Sequence, residues 1–292
     1  MKEIVIISGK GGTGKTSLTA SFASLAKNHI LCDADVDAAD LHLLMCPDVR
    51  KTTDFMGGGV AYINGEKCTQ CGLCRELCRW QAITDDFIVN EIDCEGCGVC
   101  VDLCPEKAID FPVKKCGDWF ISDTRFGPMV HARLGIAEEN SGKLVTLVRQ
   151  QAGTLADENG YDLIITDGPP GVGCPVIASV GGASLVLIVT EPTLSGIHDM
   201  ERVVRLAGHF KVPAMVCINK YDLNIENTRM IEMIAEAKNM RIAGKIPFDP
   251  AFTRSMVQGK TFLEFAGDTK TADLVKLTWE TLLNSPSMSM RS

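Results

Sequence analysis

Residues 9–16 read Gly9-Lys10-Gly11-Gly12-Thr13-Gly14-Lys15-Thr16, and they follow directly on the apolar run Ile4-Val5-Ile6-Ile7-Ser8. Glycines at this density let backbone N–H groups converge on the oxygens of a phosphate chain. A helix opening near Lys15 adds the positive end of its dipole, and the Lys15 ammonium reaches the outer phosphates. Thr16 offers a hydroxyl to Mg2+. A chance glycine-rich turn does not need the whole pattern in a strand-loop-helix setting. The stretch therefore reads as a phosphate-binding loop, with Gly11, Gly12, Thr13, Gly14, Lys15, Thr16 and Ser17 as its contacts.

Two further motifs follow in order. His29-Ile30-Leu31-Cys32-Asp33-Ala34-Asp35-Val36-Asp37 and Asp162-Leu163-Ile164-Ile165-Thr166-Asp167-Gly168-Pro169-Pro170-Gly171 are both apolar strands that end in carboxylates. Asp167 is placed to hold a water of the Mg2+ shell, and the glycines and prolines after it form a loop able to sense a terminal phosphate. Together with Lys10, straight after the first glycine of the loop, the three motifs resemble the deviant Walker A ATPases of the MinD, ParA, Mrp and nitrogenase iron protein group.

That resemblance implies an α/β P-loop NTPase fold, a mostly parallel sheet covered by helices on both faces. It implies ATP or ADP with Mg2+ as ligands and an ATP-dependent homodimer. The catalytic set it implies is Lys15 on the phosphates in cis, Lys10 reaching the partner's nucleotide, Asp35 on the attacking water, and Asp167. Asp33 is a candidate helper near the metal, although Asp33 and Asp37 equally suit loop solvation or helix capping. Asn219-Lys220-Tyr221-Asp222 fits the N-K-x-D pattern that reads guanine in GTPases. In the MinD-like group the same strand end gives an asparagine to adenine, so the resemblance favours ATP over GTP. It also puts Ile246-Pro247-Phe248-Asp249 beside the base, with Pro247 as a contact.

The thirteen cysteines carry a separate signal. Eight of them form Cys68-x-x-Cys71-x-x-Cys74-x-x-x-Cys78 and Cys94-x-x-Cys97-x-x-Cys100-x-x-x-Cys104-Pro105. Zinc sites usually use two separated C-x-x-C pairs, which leaves the third and fourth cysteines of each run without a reason. Disulfides do not suit a chain that reads as binding a cytosolic nucleotide. The two runs resemble the double iron-sulfur motif of bacterial-type ferredoxins. The resemblance implies two [4Fe-4S] clusters with crossed ligands. Cys68, Cys71, Cys74 and Cys104 would hold one, and Cys94, Cys97, Cys100 and Cys78 the other. Arg79 stands where a proline often follows the fourth cysteine, so the turn after Cys78 departs from the pattern.

The cysteine block lies between the 29–37 motif and the 162–171 motif, which the resemblance makes the first and second switches, so it reads as an insertion. The expected domains are 1–58 with 112–292 for the ATPase and 59–111 for a small α+β ferredoxin insert. Gly57-Gly58-Gly59 marks its expected start, and Phe111-Pro112 with Lys114-Lys115 its end. Each run is followed by a short apolar stretch, Ala82-Ile83 and Ala108-Ile109, as a pseudo-twofold repeat would give. Periodicity then predicts helices over 144–156, 197–210, 227–239 and 271–283, and strands over 163–166, 185–190 and 215–219. Continuously apolar strands separated by helices imply a parallel sheet buried on both faces. Residues 285–292 read as a frayed tail, and Cys174, after the second switch, as a buried small hydrophobe.

At 292 residues and 46% apolar content the chain can bury one large core and a small module. No run nears the length of a membrane span, and the last predicted helix has few cations for membrane docking, so no stable membrane insertion is expected. A net charge of −8 speaks against nucleic acid as the main partner. Cysteine-rich composition with no secretory leader points to a reducing compartment, the cytoplasm. The function these features suggest is an ATPase whose nucleotide state is coupled to electron transfer through the clusters, with a redox or cluster-acceptor protein as partner. The alternatives are an Mrp-like cluster or metal-cofactor assembly carrier and a MinD-like spatial regulator with redox-sensing clusters. Eight local ligands favour clusters that stay and move electrons over clusters that are handed on.

Overall fold

The computed structural model describes residues 1–135 and 141–289. In chain order it begins with β1 (Lys2–Ser8), α1 (Lys15–Leu25), β2 (His29–Asp33), α2 (Leu41–Met45) and β3 (Asp48–Gly59). Next come β4 (Tyr62–Ile63), α3 (Leu73–Leu77), α4 (Val99–Asp102) and β5 (Ile109–Asp110). The chain continues with β6 (Val113–Thr124), β7 (Gly127–Leu134), α5 (Ser141–Asn159), β8 (Leu163–Pro170), α6 (Cys174–Val180) and β9 (Leu185–Thr190). It closes with α7 (Leu194–His209), β10 (Ala214–Asn219), α8 (Ile225–Ala237), β11 (Arg241–Ile246), α9 (Ala251–Val257), α10 (Phe262–Ala266) and α11 (Lys270–Leu283).

Two compact units result. The larger comprises Met1–Thr52, Trp119–Arg133 and the described residues from Ser141 onward. The nine-stranded sheet has the order β11-β10-β9-β1-β8-β2-β7-β6-β3, and β1 pairs in parallel with both β8 and β9. Alternation along β1 explains the layering. Ile4 and Ile6 enter one buried cluster with Leu18 and Phe22 of α1 and Trp279 of α11, while Val5 and Ile7 enter another with Val176 of α6, Met200 of α7 and Ile231 of α8. Successive side chains of a strand point to opposite faces, so a strand that is apolar throughout is covered on both.

The β1-β8-β2 neighbourhood positions the site. Asp167 lies in register with Ile6 on one side and Asp33 on the other. The ends of these three parallel strands therefore share one edge, where α/β sheets bind ligands.

The smaller unit covers Thr53–Asp118 with Leu134 and Gly135 among its described residues, and it contains the whole of 59–111. Antiparallel β4 and β5 pair Tyr62 with Asp110 and Ile63 with Ile109. Ala82, Ile83, Ala108 and Ile109 are all buried, so each cysteine run contributes one small apolar pair to the interior. Gly72 and Gly98, at φ 87° and 74°, open α3 and α4 from a left-handed conformation that residues with a Cβ avoid.

Three expectations are corrected. Gly57-Gly58-Gly59, expected to mark the start of the insert, forms the end of β3. A Cβ on Gly57 would stand 2.4 Å from the Phe55 ring and one on Gly59 2.7 Å from the Phe111 ring, so glycine makes room for aromatics there. Lys114 and Lys115, expected to mark the end of the insert, lie within β6. The stretch from Ser285 does not fray through its described part. Met288 is buried against the α11 core, and Lys2 Nζ donates to the Ser287 carbonyl at 2.9 Å. Residues 290–292 of that expectation lie outside the described residues. Among the described residues no helix is long and apolar enough to cross a membrane.

Candidate functional site

The loop between β1 and α1 is shaped by two left-handed glycines, Gly12 at φ 80° and Gly14 at φ 87°. A Cβ on Gly14 would stand 2.4 Å from Asn219 Nδ2, whereas one on Gly11 or Gly12 would meet nothing within 4 Å. The loop is thus packed beneath and open above, as a phosphate cradle requires.

Lys15 rises from the first turn of α1 into a group of carboxylates. Its Nζ lies 2.9 Å from Asp167 Oδ1 and 3.3 Å from Asp35 Oδ2. Thr16 Oγ1 donates to Asp167 Oδ2 at 2.8 Å, and Thr19 Oγ1 donates to Oδ1 at 2.9 Å. Burial alone would lower the Lys15 pKa, but Asp167 and Asp35 outweigh it and hold the ammonium above its ordinary value. Burial raises Asp33 well above the usual carboxylate range, and neighbouring Asp167 adds to the rise. Burial raises Asp35 as well, against the pull of Lys15. Three carboxyl groups around one ammonium form a setting that a divalent cation would suit. Two buried oxygens, Thr13 Oγ1 and Asp33 Oδ2, have no hydrogen-bond partner among the described residues. Orphaned buried oxygens beside a glycine loop fit a ligand that brings its own donors, metal or bound water.

Around the loop lies a second ring of side chains. Asn219 Nδ2 donates to the Thr13 carbonyl at 2.7 Å, so this asparagine braces the loop. Lys220 Nζ donates to the Gly12 carbonyl at 3.0 Å. Asp222 Oδ1 accepts from the Phe248 backbone N–H at 2.6 Å, tying the N-K-x-D strand end to the loop that carries half-buried Pro247. Ser17 Oγ donates to Met256 Sδ at 3.2 Å. Lys10 Nζ contacts Glu191 Oε1 of the same chain at 2.5 Å. Glu191 was not singled out by sequence reasoning; its signal is a carboxylate ending an apolar strand, the same pattern that flags Asp167.

In the smaller unit the eight motif cysteines sort into two cavities. Cys68, Cys71, Cys74 and Cys104 line one, with Pro105 and Ile109 among its other walls. Cys78, Cys94, Cys97 and Cys100 line a second, with Trp80 and Phe111. The fourth cysteine of each run has crossed to the other run's cavity. Backbone N–H groups aim at three of the sulfurs: Gln70 at Cys68, Ala82 at Cys78 and Ala108 at Cys104, at 3.4, 3.4 and 3.3 Å. Burial, with charge repulsion from Cys94 and Cys97 added to it, raises the Cys100 thiol to about 11. Four soft sulfur donors per cavity with N–H bonds to sulfur suit an iron-sulfur cubane. Among the described residues no three His, Cys, Asp or Glu side chains converge as ligands of a single metal ion. A cubane has a different requirement, since each thiolate binds its own iron.

Cys174 departs from expectation. It is exposed at the start of α6, where α5 begins close by, because a Cβ on Gly142 would lie 3.3 Å from that of Cys174. Cys32, Cys116 and Cys217 are the buried thiols outside the motif.

The model of the CobQ/CobB/MinD/ParA nucleotide binding domain matches residues 4–262. The chain belongs to this family. An uncharacterised protein of Methanocaldococcus jannaschii is 35% identical over 225 residues, spanning 76% of this chain and 79% of that protein. A second from the same organism is 25% identical over 274 residues, 91% and 94% of the two chains. Among solved structures, the septum site-determining protein MinD of Pyrococcus horikoshii, complexed with Mg-ADP, superposes at TM-score 0.61 with 17% identity, covering 97% of this chain and 96% of its own. The MinC:MinD cell division complex of Aquifex aeolicus gives 0.59 at 20% identity, over 100% and 98%. At such identities these neighbours speak for the family's fold, an α/β P-loop architecture with a mostly parallel sheet.

Proposed function

We propose that the chain binds and hydrolyses ATP with Mg2+, pairs with a second copy in the ATP state, and couples that state to electron transfer through two [4Fe-4S] clusters. The observation that carries this reading is the sorting of eight cysteines into two four-thiol cavities. The same chain gathers Lys15, Thr16, Asp35 and Asp167 at a glycine loop. In this reading residues 59–111 are the cluster-bearing insert, and 1–58 with 112–292 the ATPase.

At the nucleotide, the N–H groups of Gly11, Gly12, Thr13 and Gly14 cradle phosphates and Lys15 neutralises them. Thr16 would hold Mg2+, with Asp167 receiving a bound water. Asp35 orients the attacking water, and Lys10 reaches the nucleotide of the second copy. Asn219 and Pro247 border the base, with ATP preferred to GTP. In the insert, Cys68, Cys71, Cys74 and Cys104 would ligate one cluster and Cys78, Cys94, Cys97 and Cys100 the other. Such clusters supply one-electron oxidation and reduction. A redox protein is the partner this chemistry asks for, and a reducing cytoplasm the compartment.

The MinD name of the structural neighbours supports a second reading, a spatial regulator whose clusters sense redox state. An Mrp-like carrier is a third, weaker one, because eight local thiols retain clusters rather than release them. Anaerobic preparation followed by iron, sulfide and ATPase assays tests the proposal. It expects about eight iron and eight sulfide per chain, by the two-cubane count, and ATP hydrolysis that needs Mg2+. Zinc in place of iron, or no hydrolysis, contradicts it. Loss of iron to an apo-acceptor on adding ATP favours the carrier.

A further inference from the structure

Lys10 and Lys220 bring two cations to one carboxylate. Glu191 Oε1 is 2.5 Å from Lys10 Nζ and Oε2 is 3.2 Å from Lys220 Nζ. Lys10 also donates to Thr193 Oγ1 at 3.3 Å and Ser195 Oγ at 3.1 Å. Both serve the start of α7, where Thr193 is the N-cap and accepts from the Gly196 N–H at 3.0 Å. A helix N-terminus repels positive charge, so hydroxyls alone would hold an ammonium there poorly. Glu191 supplies the missing anion.

The backbone fixes that anion in place. Thr193 N donates to the Glu191 carbonyl at 2.8 Å. A Cβ on Gly196 would stand 2.4 Å from the same oxygen, and one on Gly9 2.2 Å from Asp199 Cβ of α7. The start of the phosphate loop and the start of α7 are therefore packed without slack. Lys10 itself keeps about a third of its side-chain surface exposed (32%), so its path out of the contact is open.

We infer that Glu191 is a positioning residue that holds Lys10 on its own protomer and hands it over when a second copy binds. The inference rests on the ATP-dependent pairing proposed above. Lys220 makes the hand-over cheap. When Lys10 leaves, Glu191 keeps a cation and a bonded oxygen, so no half-buried carboxylate is stranded. Lys220 in turn stays on the Gly12 carbonyl, and the loop keeps its brace. Burial alone would raise the Glu191 pKa, but the hydrogen bonds from Lys10 and Lys220 outweigh it, so the carboxylate stays ionised. A held Lys10 lowers the fraction of chains ready to pair, and apparent pairing weakens by that fraction.

The test compares the full-length wild type with Glu191→Gln and Glu191→Asp. Acylation of Lys10 by an amine-reactive ester, read by mass spectrometry of its peptide, reports the contact without nucleotide. Sedimentation with ATPγS and Mg2+ reports pairing. For Glu191→Gln, Lys10 should react about threefold faster or more, as loss of a partly exposed ion pair implies. Half-maximal pairing should need about threefold to tenfold less protein, while Glu191→Asp stays near wild type. Unchanged Lys10 reactivity overturns the inference, and so does pairing that is unchanged or weaker in Glu191→Gln. Faster acylation with no nucleotide-dependent pairing in any variant overturns the hand-over through the dimer reading beneath it, which separates the two failures.

Discussion

Thr16 Oγ1 donates to Asp167 Oδ2 at 2.8 Å, bonding the first turn of α1 to the β8 strand. With Lys15 and Thr19 on the other oxygen, one carboxylate takes three donors from a single helix face. Asp167 is thereby fixed in orientation, and Thr16 is held where a metal shell would form. The preorganisation lies in the link between sequence and packing: residues i, i+1 and i+4 of α1 meet a strand-end aspartate.

Lys15→Met removes the cation that contacts both Asp35 and Asp167, so nucleotide affinity should fall at least about tenfold, as loss of a phosphate-binding charge implies. The variant should also lose on the order of 3 kcal/mol of stability at pH 8, because breaking a buried pair leaves carboxylates uncompensated. Asp33 and Asp35 already sit above their ordinary pKa values, and without Lys15 they rise further. Raised folded-state values mean the folded chain binds the extra protons, so the deficit should shrink as pH drops from 8 toward 5. Urea unfolding across that range checks it. A deficit that grows on acidification contradicts the charge assignment.

On the proposed two-cluster reading, Cys104→Ser and Cys68→Ser should leave the same surviving cluster, with about half the iron of the wild type. Cys78→Ser should instead match Cys100→Ser. Electron paramagnetic resonance of the reduced variants distinguishes the two signals. If Cys104→Ser matches Cys100→Ser, the ligands follow the runs and not the cavities.

His29 and His131 are buried, and burial lowers both to about 4. His29 Nε2 has no hydrogen-bond partner among the described residues, whereas His131 Nε2 shares a 2.9 Å hydrogen bond with Ser122 Oγ. An unfolded histidine takes its proton near 6.5, so between that value and about 4 the unfolded chain binds more protons. Stability should therefore fall as pH falls through this window, by on the order of 3 kcal/mol per histidine. His29→Leu and His131→Gln should each flatten the slope in urea titrations. Unaltered slopes would mean the rings are solvated in the folded state.

Truncation after Asn284 should cost on the order of 2 kcal/mol, since it removes the buried Met288 side chain and the Lys2 contact to Ser287. A loss of that size in urea midpoint, at unchanged slope, separates a packed end from a frayed one.

Motifs were legible where chemistry needs a fixed spacing. The loop from Gly9 to Thr16, Asp35, Asp167 and the two cysteine runs all declare themselves, because backbone geometry ties residue type to position there. Apolar strands such as Leu185–Thr190 were equally plain, being buried on both faces. The hairpin of β6 and β7 was not, since Val113–Thr124 mixes lysines, aspartates and aromatics with no clean alternation. Tertiary pairing makes it a strand, not its pattern. The strand at Gly57 and Gly59 was hidden for a related reason: an aromatic ring needs the room there, and only the fold brings the ring in. The reach of Glu191 to Lys10 spans sequence positions that no local rule connects.

Coupling between nucleotide and clusters is reciprocal if it exists, so reduction of the clusters must change ATP affinity by the factor through which ATP changes their potential. The measurement is ATP affinity under anaerobic conditions, first with the clusters oxidised and then after reduction by dithionite. A difference of about fivefold or more, the lower bound of typical allosteric coupling, is the expected result. Equal affinities in the two redox states would leave the cysteine module a passenger on the ATPase and contradict nucleotide-gated electron transfer.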